Sequence, residues 1–389
     1  RLAADSARFV NGYVPTSVCR PSLATLLTGL YPHQHGIHFN HPPDPTRRAE
    51  AEHLVRSVPT LPRLLAEVGY RSFQTGKHWE GDFRNAGFTD GMTLGQTAEI
   101  EREYGLRPAH GNGDAGLAIG RKTLQPIYDF VESCGETPFL VWYAPFLPHT
   151  PQTAPQRFVD MYKDRSDVPA DFRTYYASIT WFDHTVGELL DWFEKGQLLD
   201  NTLVVFVVDN GWAPRAGRPD TNDPRTKWSP FELGVRTPIL LRWQGRTRPA
   251  THTTLVSSVD LVPTLLHAAG LASKTAGLPG SNLLPAAEGR SRLPDRPVFG
   301  EIYANQARRL GQAEREVLYR WVRSGDHKLI VPQGRVQRAM LFNVTKDPQE
   351  AQDLAAEASH AELVLSLQRT LDQWWDPATG PVSLPPAQP

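Results

Sequence analysis

Apolar positions along the 389-residue chain fall into two spacings. Short uninterrupted apolar runs predict buried strands, and apolar residues three or four apart predict helices. The runs 138-PFLVWYAPF-146, 203-LVVFVV-208 and 237-TPILLRW-243 read as strands, and 203–208 has the β-branched and aromatic make-up of a central parallel strand. Shorter strands are predicted at 70-YRSFQT-75 and from Phe9 to Tyr13. Helical patterns lie between them: Thr60 to Val68, closed by Gly69; Ile119 to Cys134; Phe172 to Lys195; and 260-DLVPTLLHAAG-270. The opening 1-RLAADSARF-9 reads as part of a helix running into a strand. This alternation predicts an α/β fold, a mainly parallel sheet sandwiched by helices.

The pattern changes after Gly270. Residues 271–296 are rich in Gly, Pro and Ser and lose periodicity, as a connector does. Beyond them 297-PVFGEIY-303, 317-VLYRWVR-323, 327-HKLIV-331 and 340-MLFNV-344 follow one another as strands with no helix between, and a last helix runs from His360 to Trp375. A small C-terminal antiparallel sheet-plus-helix subdomain is expected, with 286–389 packed against a catalytic domain of 1–285. A Pro-rich tail covers 381–389.

Composition narrows the function classes. Hydrophobic residues are 40% and charged residues 21%, enough for a sizeable core. The 41 basic and 42 acidic side chains leave a net charge of −1, so no global field points to nucleic acid. No apolar run approaches the roughly 20 residues of a membrane span. Cys19 and Cys134 are too few for a disulfide framework and form at most one bridge. Localisation is not legible in the first residues.

Open α/β sheets take ligands beyond the carboxyl ends of their strands. Polar clusters follow four of the predicted strands: Cys19, Gly76-Lys77-His78, Pro148-His149 and Asp209-Asn210-Gly211. Asp209 and Asn210 offer hard oxygen ligands suited to Ca²⁺ or Mg²⁺. Lys77, His149 and Lys227 offer donors to an anion. Cys19, ahead of Pro21 and Ser22, stands at a helix start, where N–H groups hold anions and lower a thiol pKa. Together these describe an oxyanion centre with a nucleophile beside it. Trp79, Trp212 and Trp228 each lie within two residues of a cluster and suit an aromatic or sugar face. Ordinary roles are expected elsewhere. The loop context of His33, His35 and His38 points to hydrogen-bonded turns, Glu232 and Arg236 to a structural ion pair, Asp114 to a surface loop, and Trp374-Trp375 to helix packing.

The order of these elements resembles the type I sulfatases of the alkaline phosphatase superfamily. Cys19-Arg20-Pro21-Ser22 with 26-LLTGLYPHQHG-36 resembles their signature. Gly76-Lys77, 148-PHTP-151, 209-DNG-211, 227-KWSPFELGVRTP-238, 257-SSVDLVPTLLHAAG-270 and 341-LFNVTKDPQEAQDLA-355 resemble the elements that follow. The resemblance implies a sulfuric ester hydrolase acting on an aryl or carbohydrate sulfate, with a phosphoester or phosphonate hydrolase and a non-catalytic sulfated-glycan binder as alternatives. It implies that Cys19 is the precursor of formylglycine, made by a maturation enzyme. Cys19, Asp209 and Asn210 would hold the metal. Lys77, His149 and Lys227 would hold sulfate or protonate the leaving oxygen, with His78, Trp79 and Trp212 about the substrate. It also implies a sulfated small molecule or glycan as substrate, and export to the periplasm or the cell exterior.

Three departures qualify it. Leu23 stands where the pattern Cys-Xaa-Pro-Xaa-Arg calls for arginine, with Arg20 as a candidate substitute. The family's Lys-Xaa-His appears as Lys77-His78-Trp79. The family's Asp-Asp metal pair falls upstream of Arg1, so these 389 residues alone are expected to bind the metal weakly and turn over little.

Overall fold

The computed structural model describes residues 1–95, 116, 118–150, 152–334 and 338–380. The described residues form two compact units. One comprises Arg1, Pro62–Thr202 and Ala213–Asp223; the other comprises Leu2–Leu61, Leu203–Trp212 and Pro224–Pro389.

In the first unit β2 (Arg71–Gly76) lies between β3 (Asp90–Gly91) and β4 (Phe139–Ala144), and both pairings are parallel. Two helices lie side by side on one face of this sheet, with Tyr128 and Trp192 stacked between them at 4.6 Å. Phe130 of Gln125–Cys134 stacks on Phe73 at 4.9 Å. In Arg173–Lys195, Thr185 meets the Tyr143 hydroxyl at 2.6 Å. The helix expected from Ile119 starts six residues late. Gly120 turns left-handed at φ 72°, Thr123 Oγ1 accepts the Gln125 N–H, and Pro126 then opens the helix. A hairpin of β6 (Pro214–Arg215) and β7 (Arg218–Asn222) completes the unit.

In the second unit β1 (Ala7–Tyr13) pairs antiparallel with β8 (Arg236–Trp243), and parallel with β9 (Ala250–His252) and β10 (Val256–Ser257). The run at 203–208 becomes β5 (Leu203–Phe206) and pairs antiparallel with β8, not parallel as expected. An apolar run reports burial of both faces and carries no information about direction. Four of the six pairings in these two sheets are still parallel among the described residues.

The four C-terminal strand runs become β11 (Val298–Tyr303), β12 (Val317–Ser324), β13 (His327–Pro332) and β14 (Met340–Asn343), an antiparallel meander. Alternation gives this sheet two apolar faces. Trp321, Ile330 and Phe342 pack with Tyr13, Val14 and Val235, while Val322, Leu329 and Leu341 pack on Leu367 and Leu371 of the helix Ala361–Trp374. The approach to β1 is backbone to backbone. Glu301 N–H donates to Pro15 O at 2.9 Å, and a Cβ on Gly300 would stand 2.0 Å from that oxygen. Trp374 stacks on Phe299, and Trp375 stacks on His33 at 4.3 Å.

Glu232 and Arg236 do not pair with each other as expected. Arg236 opens β8 in extended conformation and donates to Val10 O and Asn11 Oδ1. Glu232 sits below, buried, accepting from the Tyr13 hydroxyl at 2.8 Å and from Lys328 Nζ at 3.0 Å. Lys328 also lies 3.2 Å from Glu350, whose other oxygen caps the Glu232 N–H at 2.6 Å. Arg323 completes the network through the Tyr13 hydroxyl. Burial alone would raise the Glu232 pKa, but Lys328, the Tyr13 hydroxyl and Arg323 hold it below the ordinary value.

Candidate active site

Strand register gathers the proposed residues. In the second unit β8 runs against both β1 and β5, so its first residues lie beside their last ones. Tyr13 faces Arg236, and Val208 N–H donates to Thr237 Oγ1 at 2.9 Å. The chain leaving β1 reaches Cys19, and the chain leaving β5 reaches Asp209 and Asn210, at the same edge of the sheet. The segment before β8 supplies Lys227. It is clipped to the cysteine segment twice: Trp228 N–H donates to Ser17 O at 3.2 Å, and Ser17 Oγ donates to Ser229 O at 2.7 Å. Cys19, Asp209, Asn210 and Lys227 thus share one edge within one unit.

Cys19 opens α1 (Cys19–Thr28) and is only 2% exposed. Neither cysteine is in a disulfide, so no Cys19–Cys134 bridge exists. Val18 at the N-cap position offers no side-chain acceptor to the helix. Asn210 holds its own orientation: Nδ2 donates to Gly211 O at 3.1 Å, which turns Oδ1 the other way. That Oδ1 is buried and has no hydrogen-bond partner among the described residues; nor have Ser22 Oγ, in the first turn of α1, and Thr16 Oγ1. A buried acceptor without a donor is costly, about 1–3 kcal/mol, unless something outside the chain meets it. The Asn210 loop is set by backbone contact. Gly211 N–H donates to Gly234 O at 2.8 Å, and a Cβ on Gly211 would meet Leu233 O at 1.8 Å.

The surroundings of Lys227 are cationic. The pKa of nearby His41 is pushed down, by burial first and then by Arg48, Arg20 and Lys227. Two contacts of Arg20, the candidate substitute for the arginine missing at Leu23, place its guanidinium toward Phe39 and Ala51. Arg20 is buried, its guanidinium lies over the Phe39 ring at 4.9 Å, and it donates to Ala51 O at 2.7 Å. Leu23 is buried within α1.

The first unit collects its own share. Gly76 pairs with Ala144 at the ends of β2 and β4, so Lys77 and His149 follow at one edge. Gly76 has φ 72°, and a Cβ there would stand 1.8 Å from Ala144 O, so only glycine admits the Lys77 N–H to that oxygen at 2.6 Å. Phe146 sits among the polar groups: Lys77 Nζ is 6.0 Å from its ring centroid, the His149 ring stacks on it at 4.5 Å, and Arg121 lies 5.6 Å from it. His149 Nδ1 lies 2.7 Å from Thr150 O, which makes Nδ1 a proton-bearing nitrogen. Arg121 donates to His149 O at 3.3 Å. Nothing in the sequence singled out Arg121, because the stretch from Ile119 read as plain helix.

His78 and Trp79 are both buried, and the His78 ring meets Phe88 edge-on at 6.1 Å. Trp212 is half-buried just after Gly211. Asp114 and Pro151 lie outside the described residues. The three clustered histidines have separate partners. His33 Nδ1 meets Glu301 at 3.0 Å and His38 Nε2 meets Glu316 at 3.1 Å. His35 accepts the Ile37 N–H on Nδ1 at 3.1 Å and meets Thr25 Oγ1 through Nε2 at 3.3 Å, which ties the turn to α1.

Burial, with His33 and His38 adding to it, pushes the His35 pKa down to about 3. In the unfolded chain the same ring takes up a proton near 6.5. Between those values the unfolded state binds the extra proton, so stability falls as pH falls, by up to about 1.4 kcal/mol per unit. Urea unfolding at pH 6.5 and pH 5 is expected to differ by about 1.6 kcal/mol from this residue. His35→Gln should remove that part of the slope; an unchanged slope would place it elsewhere.

Known proteins resemble this chain along most of its length. The sulfatase family model matches residues 1–271, and the model of the N-sulphoglucosamine sulphohydrolase C-terminal region matches residues 226–376. The chain is similar to choline-sulfatase of Rhizobium meliloti (strain 1021), at 25% identity over 91% of this chain and 76% of that one. It is similar to arylsulfatase A of Homo sapiens, at 27% identity over 77% of this chain, and spans 64% of that relative's length. A solved structure of a protein with its substrate D-glucosamine-2-N,6-O-disulfate superposes with a TM-score of 0.75, at 17% identity over 97% of this chain and 92% of that one. That likeness carries the fold, which is the alkaline-phosphatase-like α/β architecture with a small antiparallel C-terminal sheet. The family match covers well over half of the residues, and the chain belongs to the sulfatase family.

Proposed function

We propose that the protein is a sulfuric ester hydrolase for an aryl or carbohydrate sulfate, with formylglycine formed from Cys19 as nucleophile and a divalent cation, Ca²⁺ or else Mg²⁺, beside it. The observation that carries this reading is the buried Asn210 Oδ1, a hard oxygen without a donor, at the sheet edge where α1 begins with Cys19. A cation satisfies such an oxygen where no N–H does, and Asp209 next to it adds a carboxylate. These residues fit the group; Asp209, Asn210 and the oxidised Cys19 side chain would hold it. When bound, the cation would polarise sulfate oxygens and favour an ionised nucleophile. Formylglycine hydrate supplies two hydroxyls on one carbon, one to attack sulfur and one whose deprotonation re-forms the aldehyde and releases sulfate.

The chain's own groups do the rest. Lys227 binds sulfate oxygens, and the N–H groups opening α1 favour the same charge. Lys77 is assigned the same anion. In its imidazolium form His149 keeps its Nδ1–H on Thr150 O and gives the Nε2 proton to the departing alcohol oxygen, becoming the neutral imidazole. Arg121 holds the His149 backbone in place. His78 and Trp79, buried in the described structure, are assigned to the substrate side on the family pattern alone, as is Trp212. The C-terminal region 286–389 is read as a subdomain that supports residues 1–285. A maturation enzyme acting on the Cys19 segment, a sulfated small molecule or glycan as substrate, and a periplasmic or extracellular location belong to the same reading. Among the described residues no helix is long and apolar enough to cross a membrane.

The test is a peptide mass of the Cys19 segment from the native host, with rates on phenyl sulfate and phenyl phosphate for the natural-length protein. Conversion of the thiol to an aldehyde, and sulfate as the faster substrate, are expected. An unmodified cysteine would favour a sulfated-glycan binder, and faster phosphate cleavage a phosphoester hydrolase. Calcium titration by calorimetry should show binding that Asn210→Ala weakens.

A further inference from the structure

Trp228 is oddly placed for a packing residue. It is 42% exposed, while Lys227 and Ser229 on either side are buried. Its backbone is left-handed, at φ 66°, one of three positive-φ residues other than glycine among those described. A bulky side chain is strained there, and glycine or asparagine would turn the chain at less cost. The exposure does not come from a loose loop. Trp228 N–H is held by Ser17 O, Ser17 Oγ by Ser229 O, and Ser229 Oγ by Thr226 O. A fixed backbone therefore holds an apolar ring in water, at the edge where Cys19 lies. Lys227 Nζ stands 5.3 Å from the indole centroid, so the group assigned to the anion and the exposed ring are neighbours.

We propose that Trp228 is the platform for the ring that carries the sulfate, and that it selects ring-bearing sulfate esters over compact alkyl ones. The inference rests on the sulfate-ester reading above and adds a residue to it. An indole face suits the C–H face of a pyranose or the face of an aryl ring. It also suits a quaternary ammonium. Here Lys227 already places a cation over the same indole, and two cations at one ring repel each other. The ring selected is a neutral one.

Calorimetry on the natural-length protein with Cys19→Ala tests this without turnover. The probes are inorganic sulfate, phenyl sulfate, N-acetylglucosamine 6-sulfate and choline sulfate. Both ring sulfates should bind about tenfold tighter than inorganic sulfate, a margin of about 1.4 kcal/mol. Choline sulfate should show no such margin. Trp228→Gly should remove the margin and leave inorganic sulfate affinity as it was; Trp228→Phe should restore most of it. The thermal midpoint of Trp228→Gly should equal or exceed the parent's, because glycine is at ease at this φ. A purely structural role predicts the reverse, a lower midpoint with the margin intact, and would overturn the proposal. So would equal losses for ring sulfates and inorganic sulfate, which would mean that Trp228 acts through Lys227. A margin for choline sulfate would overturn the neutral-ring selection. If inorganic sulfate does not bind but ring sulfates still bind through Trp228, the anion reading fails and the platform stands. If nothing binds, both fail.

Discussion

Replacing Cys19 by alanine in the natural-length protein is expected to lower kcat for sulfate-ester hydrolysis by on the order of 10⁴-fold or more, the scale on which removal of a covalent nucleophile acts. Thermal stability should change far less, because the helix α1 keeps its packing. Cys19→Ser separates two halves of the mechanism. A serine hydroxyl can attack sulfur once, but it lacks the second hydroxyl on the same carbon. The expected product is a protein carrying one covalently bound sulfate ester on residue 19, seen by mass, after a single turnover. Full multiple turnover by the serine variant would exclude the aldehyde-hydrate route. Binding of inorganic sulfate to the alanine variant should persist, since Lys227 and the helix N–H groups remain.

The second large effect is on stability. Lys328 is fully buried and faces two carboxylates, Glu232 and Glu350. Lys328→Ala leaves Glu350 without this partner and Glu232 with Arg323 alone, at 3.7 Å, and is expected to destabilise the unit that contains them by about 3–5 kcal/mol. Guanidinium unfolding would show this as an earlier transition. Lys328→Met with Glu232→Gln and Glu350→Gln removes the lysine and both carboxylates, leaves Arg323 on the Tyr13 hydroxyl, and should recover part of the loss. A single alanine variant as stable as the parent would mean that water reaches these carboxylates. Activity should fall with Lys328→Ala as well. Glu232 opens the short helix whose Gly234 O receives the Gly211 N–H, next to Asn210.

Much of this was legible in the chain because the local signals agreed. The run 340-MLFNV-344 and the helix from His360 to Trp375 appear within a residue or two of their predicted ends. Each has one dominant period and a clear boundary. The direction of Leu203–Phe206 was not legible, because pairing direction depends on which strand arrives from elsewhere. Nor was the partner of Glu232. Arg236 is four residues away in sequence, whereas Lys328 is 96 away and is brought in only by the C-terminal sheet. The candidate residues were found by type and by their place after strands. Arg121 escaped notice because its relation to His149 exists only through the turn at Gly120. Trp228 was noticed by position alone, and its left-handed backbone, which gives it meaning, has no sequence signature in a tryptophan.

The burial of Cys19 sets a time window as well as an environment. An enzyme that must oxidise its Sγ cannot reach a thiol that is 2% exposed. The segment just before Cys19 is held to Ser229, and the sheet it follows includes β8, which ends at Trp243. The ribosome makes the intervening stretch of about 220 residues in roughly 10–45 s at ordinary rates. During that interval the nascent segment around Cys19 has no sheet to join. On the formylglycine reading proposed above, oxidation of this residue would be a race against synthesis of more than half of the chain, and conditions that slow elongation should raise the fraction of molecules carrying the aldehyde.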